Sequence, residues 1–146
     1  MKLKIVSKSG RIPEYQTKGS AGFDLEAYLP EGDFLLKAGE RALIPTGYFV
    51  ELPDGYEAQV RARSGLSIKH GIGLVNGVGT VDPDYRGEWN VPLINWSKED
   101  YLIKDGERIA QVVISKFEQV EFEVVNDISE ISETERGAGG FGHTGK

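Results

Sequence analysis

The chain has no cysteine. That excludes disulfides, thiolate metal sites and a thiol nucleophile. It has two histidines, His70 and His143, too few for a zinc site built on several imidazoles. It also lacks a basic surplus. Against 23 Asp and Glu stand 17 Lys and Arg, for a formal net charge of −6. Broad contact with nucleic acid or an anionic membrane needs the opposite balance, so neither partner is expected. A nucleotide that arrives as a metal complex is still compatible with this charge. No apolar run approaches the length of a membrane span, and the opening MKLKIVSKSG has no apolar h-region. A soluble, cytoplasmic protein of one domain is the expectation, with 146 residues to build a core.

Glycine is plentiful: 19 of 146 residues, about 13% against a usual ~7%. Many tight turns must follow. Short apolar or alternating runs lie between them at Leu3–Val6, Phe23–Ala27, Arg41–Pro45, Tyr48–Glu51, Glu57–Arg61, Val91–Asn95, Ile109–Lys116 and Glu121–Val125. Turn signals such as Pro30-Glu31-Gly32-Asp33 and Pro53-Asp54-Gly55 separate them. The spacing predicts an all-β sandwich or barrel. One short helical turn is predicted at Ser64–Lys69, closed by Gly71; a purely structural reading of its start makes Ser64 an N-cap. The body is expected to run over residues 1–125. Residues 126–146 change character, acidic first and glycine-rich last, and read as a flexible C-terminal arm.

Several stretches carry chemistry. In NGVGTVDPDYRGE, Asn76 to Glu88, glycines allow a sharp hairpin and close approach of a ligand to backbone. Main-chain N–H and C=O groups there, with the Asn76 amide, match the needs of reading a pyrimidine edge, although an ordinary glycine hairpin fits the segment as well. Asp82 is placed either to activate a water or to form a turn; Tyr85 either stacks on a sugar or is half-buried. Arg63, Ser64 and Gly65 at a helix start suit an anion, or simply cap a turn. Under strict alternation Gln111 shares a side with Ile109 and Val113 and needs a partner, structural or ligand, with Arg108 on the other face. Asp24 is either a buried hydrogen-bonded acid or a metal-side carboxylate. The closing GFGHTGK, Gly140 to Lys146, satisfies G-x-x-x-x-G-K but offers neither the following Ser or Thr nor the helix of a phosphate-binding loop.

Five segments, AGFDL at Ala21, RSGLSIKHGI at Arg63, NGVGTVDPDYRGE at Asn76, GERIAQ at Gly106 and RGAGGFGHTG at Arg136, together resemble the motifs of the trimeric deoxyuridine triphosphate nucleotidohydrolase (dUTPase) family, in order. The resemblance implies a jelly-roll-like distorted β-barrel, assembled as a homotrimer with sites between subunits, each closed by an arm from a neighbour. It implies hydrolysis of dUTP to dUMP and pyrophosphate with Mg2+ on the triphosphate, which keeps uracil out of DNA and supplies dUMP for thymidylate synthesis. Carried over residue by residue, Asp82 would activate the attacking water. Asn76, Gly79, Thr80 and Val81 would read uracil, and Tyr85 would pack under deoxyribose. Arg63, Ser64, Gly65 and Gln111 would hold phosphates, with Asp24 near the hydrated metal. Arg136 would meet the γ-phosphate, Gly139 and Gly140 would cradle oxygens, and Phe141 would cover the base. His143 stands where the family usually has serine, and Asn90 where a less polar residue is common. Two other readings share the scaffold: a dCTP deaminase-type enzyme, and a catalytically silent nucleotide-binding regulatory protein.

Overall fold

A computed structural model describes residues 1–140. Among these residues the chain forms eleven strands and one α-helix. The strands are β1 (Lys4–Ser7), β2 (Gly22–Glu26), β3 (Phe34–Leu36), β4 (Arg41–Ile44), β5 (Tyr48–Glu51), β6 (Tyr56–Arg61), β7 (Ile72–Leu74), β8 (Val78–Val81), β9 (Val91–Asn95), β10 (Tyr101–Ile103) and β11 (Arg108–Lys116). The helix, α1, spans Ser64–His70. The pairings are antiparallel throughout, in a four-stranded sheet β2-β11-β6-β8, a three-stranded sheet β4-β9-β7, and the ribbons β1-β5 and β10-β3. Inward residues of the two larger sheets, among them Leu25, Val60 and Val112 from one and Ile44, Leu74 and Leu93 from the other, meet in a single core. Each buried aliphatic side chain of this kind contributes about 1.5–3 kcal/mol. This is the all-β body with one short helix that the sequence predicts. No helix among the described residues is long and apolar enough to cross a membrane.

Two polar side chains are buried in that core, and one organises a turn. The Asn95 amide donates to the Leu36 and Glu99 carbonyls and accepts from the Ser97 N–H and hydroxyl. All its capacity on those atoms is used inside the protein, so its burial is tolerated.

The structure corrects several expectations. The stretch Glu121–Val125 is not a strand. It has the alternating pattern, but no described strand pairs with it, and Val120, Phe122 and Val124 are 68%, 87% and 88% exposed. A strand's backbone needs a partner, and this stretch finds none among the described residues. Ser64 does not cap the helix. Arg63 holds the N-cap position in extended conformation without a side-chain cap bond, and Ser64 is the first helical residue. The helix closes at Gly71, φ +67°, as predicted. Strict alternation also fails along β11. A bulge between Arg108 and Ala110 shifts the phase, so Ile109, Ala110 and Val112 are all buried while Gln111 turns to the other face. A bulge adds one residue without adding a step of the ladder. Of the tryptophans, Trp89 is in the core and Trp96 is exposed.

Candidate functional site

The Asn76 hairpin reaches the surface because β7 and β8 belong to different sheets. The Gly77 N–H bonds back to the Leu74 carbonyl, and the chain then enters β8. Strand β8 pairs with β6 and lies at the edge of its sheet. Alternate N–H and C=O groups of an edge strand point away from its partner and are available to a ligand. The Asn76 side chain folds over this strand. A Cβ added at Gly79 would stand 3.2 Å from its Nδ2 and 3.3 Å from Val60 Cβ, so the absence of a side chain is what lets the amide lie there.

Beyond β8 the chain turns, with the Tyr85 N–H on the Asp82 carbonyl. The Asp82 side chain is exposed at this turn, and no described residue donates a hydrogen bond to its carboxylate. The Tyr85 ring is 45% exposed, with its hydroxyl fixed on the Glu88 carbonyl at 3.1 Å. Asn76, Gly79, Thr80, Val81, Asp82 and Tyr85 thus line one cleft, of about 330 Å³, floored by Trp89 and flanked by Glu88 and Asn90. An edge of backbone, an amide, an aromatic and an unengaged carboxylate share one wall of it.

A second cluster holds the arginines. Asp24 on β2 lies between Arg63 (Nε to Oδ1, 3.1 Å) and Arg108 (Nη1 to Oδ2, 3.2 Å). Arg63 also donates to the Arg108 carbonyl at 2.8 Å, and Gln111 Nε2 donates to the Ala62 carbonyl at 3.0 Å. The Asp24 side chain is 15% exposed, so this is a partly desolvated pair of cations around one anion, with a net positive charge. Ser64 and Gly65 follow in the exposed first turn of α1. Tyr101 packs on His70 at the other end of the helix, ring centroids 4.9 Å apart. Burial first, then its bond to the Glu107 carboxylate, pushes its phenol up to about 12, while Arg63 opposes that shift.

The two groups do not meet within one chain. Gln111 pairs with Arg61, and Arg61 with Val78, at one end of the sheet; Ile114 pairs with Ala58, and Ala58 with Val81, at the other. Two strand spacings and three residues separate Gln111 from the Asp82 end, roughly 14 Å of backbone. Arg136 bonds within its own turn, Nε to the Gly139 carbonyl at 2.8 Å, with the Gly139 N–H on the Arg136 carbonyl. Gly140 follows; Phe141 and His143 lie outside the described residues.

The sequence profile of the dUTPase family matches residues 8–145. The chain belongs to the dUTPase family. Two relatives, both called deoxyuridine 5'-triphosphate nucleotidohydrolase, are similar over nearly the whole length. That of Finegoldia magna is 53% identical and that of Fusobacterium nucleatum 51%, covering 99% and 100% of this chain and 99% and 98% of theirs. A solved structure of the Staphylococcus bacteriophage 80alpha dUTPase with dUPNHPP superimposes with a TM-score of 0.82 at 30% identity, covering 99% of each chain. Seen as a dUTPase, the chain presents its family motifs in two separate groups plus an arm. Sequence reasoning reads Glu88 only as negative charge in this loop and leaves Trp89 open between core and interface, because the partners that place them, Gly47 and Thr46, lie more than forty residues away.

The donor set speaks to a metal as well. Among the described residues, no group of three or more His, Asp or Glu could hold an ion. Both oxygens of Asp24 already face arginines. That carboxylate is thus engaged by cations and does not present both oxygens for direct ligation of an ion.

Proposed function

We propose that this dUTPase hydrolyses dUTP to dUMP and pyrophosphate at sites completed between the chains of a homotrimer. The observation that carries the reading is the cleft in which an open strand edge, Asn76, Tyr85 and the unengaged carboxylate of Asp82 face the same space. The edge of β8 and the Asn76 amide read uracil. Tyr85 lies under the sugar. Asp82 accepts a proton from water as its oxygen bonds to the α-phosphorus, and the bond from that phosphorus to the bridging oxygen breaks. Pyrophosphate leaves with the electron pair, and the proton passes on to solvent. Magnesium on the triphosphate, when bound, neutralises charge on the phosphate oxygens. Arg63, held in place by Asp24, binds phosphate with Ser64, Gly65 and Gln111. Arg136, Gly139 and Gly140 close on the triphosphate, and Phe141 covers the base. The dUTP analogue dUPNHPP bound to the phage relative supports this substrate class.

The separation of the two groups, roughly 14 Å of backbone between Gln111 and the Asp82 end of β8, supports a site assembled from more than one chain. The arm supports it too. Among the described residues, Val120, Phe122 and Val124 alternate on an exposed, unpaired stretch. Among the same residues strand β1 pairs with β5 alone, and it flanks an apolar groove of about 230 Å³ that includes Leu3, Ile5, Ile12 and Tyr15. A neighbour's arm, added as a strand beside β1, would bury both.

The test is pyrophosphate release from dUTP, dCTP, dTTP and UTP in parallel, with Mg2+ and an ammonia assay in the same tubes. Release from dUTP alone is expected. Ammonia from dCTP would assign the protein to deamination, and silence with all four would leave a nucleotide-binding regulator.

A further inference from the structure

Glu88 and Trp89 are strapped to three consecutive residues, Thr46, Gly47 and Tyr48, where β4 turns into β5. The Thr46 hydroxyl donates to the Trp89 carbonyl, the Gly47 N–H donates to Glu88 Oε1 at 2.9 Å, and the Trp89 N–H donates to the Tyr48 carbonyl at 2.8 Å. Lys8 adds a fourth tie, Nζ to Glu88 Oε2 at 3.0 Å, while its own N–H donates to the Gly47 carbonyl. One half-buried carboxylate, 18% exposed, therefore links Lys8, just past β1, the β4–β5 turn and the wall of the cleft.

The backbone of the same residue holds the sugar-facing side chains. The Glu88 carbonyl accepts from the Tyr85 hydroxyl at 3.1 Å, from Asn90 Nδ2 at 3.3 Å and from the Asn90 N–H at 3.0 Å. The Tyr85 ring also sits on Gly87, where an added Cβ would fall 2.3 Å from the hydroxyl. Tyr85 thus has a seat whose far side is Glu88, and the Glu88 carboxylate adds two side-chain ties to the backbone ties at Trp89 that fix this seat to the body. A ring that excludes a 2′-hydroxyl must not yield when one is pushed against it, and small displacements in a positioned site have large kinetic effects.

We infer that Glu88 is a positioning residue that sets the preference for deoxyribose over ribose by fixing Tyr85, with Lys8 as a minor support. The inference rests on the reading that Tyr85 packs under the sugar. Of the two ties, the Gly47 N–H matters more, because the Lys8 ammonium is half-exposed and an exposed ion pair contributes little.

The experiment is kcat/KM for dUTP and for UTP in the full chain and in Glu88→Ala, Glu88→Gln, Lys8→Gln, Tyr85→Ala and the double variant Tyr85→Ala/Glu88→Ala. In Glu88→Ala the dUTP-to-UTP ratio is expected to fall about 10-fold, chiefly through better use of UTP. Glu88→Gln keeps the acceptor for Gly47 and conserves shape, so its ratio should lie between; Lys8→Gln should change the ratio less than about twofold. Tyr85→Ala should lower the ratio, and the double variant should add nothing to it, because both changes act on one contact. A fall in Tm for Glu88→Ala with an unchanged ratio, while Tyr85→Ala lowers it, overturns the inference alone. An unchanged ratio in Tyr85→Ala overturns the sugar reading on which it stands. Additive losses in the double variant would mean that Glu88 acts by another route, and would overturn it as well.

Discussion

Asp82 follows β8 on an exposed turn, and its carboxylate receives no hydrogen bond from the described residues. That state is costly for a buried acid but ordinary for one that takes a water from solvent. Asp82→Asn preserves shape and removes the base. We expect nucleotide binding to survive and kcat to fall by about 10²–10⁴, measured by calorimetric binding of a dUTP analogue alongside turnover; near-normal turnover would take the role from Asp82. Tyr101 offers a test of a different kind. Its phenol is pushed up to about 12 by burial and by its bond to Glu107. A proton held more tightly in the folded state gives stability that is complete below the ordinary phenol value near 10 and is lost as pH rises toward 12. Tyr101→Phe should cost about 1 kcal/mol near neutral pH and flatten the alkaline decline of Tm. An alkaline limb identical to that of the parent would show that Tyr101 does not carry it.

At the level of elements, α1 is short and its two ends serve different purposes. Ser64 and Gly65 open it beside Arg63, and Gly71 closes it in the left-handed region with its N–H on the Leu66 and Ser67 carbonyls. A Cβ at Gly71 would also stand 2.9 Å from Ser97 Cβ and 3.0 Å from its backbone nitrogen. Gly71→Ala is therefore expected to destabilise by about 1–3 kcal/mol, visible as a lower denaturant midpoint with an unchanged slope; no shift would mean that the helix end relaxes freely. The strands were unequally legible. Tyr48–Glu51 and Val91–Asn95 have the bounds that their patterns suggest, because an alternating or apolar run was long enough to declare itself. Strands β3, β7 and β10 have three residues each, too few for a period, and β8 hides in glycine-rich sequence that reads equally well as a turn. Gln111 shares a face with Val113 as strict alternation predicts, but not with Ile109, because the bulge at Arg108–Ala110 shifts the phase.

For the whole molecule the decisive question is which chains contribute to a site. If Arg63 and Asp82 act from different subunits, Arg63→Ala and Asp82→Asn are each nearly inactive alone, yet trimers reassembled from an equal mixture should recover about a quarter of the parent activity by random combination. Sites confined to one chain would recover none. The measurement is turnover after co-refolding, against each variant refolded by itself.

Composition and motif order determined a great deal before any fold was known. The lack of cysteine and of basic surplus removed whole classes of chemistry, and five ordered segments pointed to the family and to Asp82, Arg63, Asn76, Tyr85 and Gln111. Such information is local, since a motif specifies which groups are present and their spacing along the chain. What only the tertiary structure decided is which groups share a space. It separated the arginines around Asp24 from the cleft of Asp82 by the width of a sheet, left the alternating stretch at Val120–Val124 without a partner among the described residues, and tied Glu88 to Gly47 and Lys8 from distant parts of the chain. These facts depend on strand pairing and on a one-residue shift of register. Both are set by contacts between residues far apart in sequence, where no local pattern reaches.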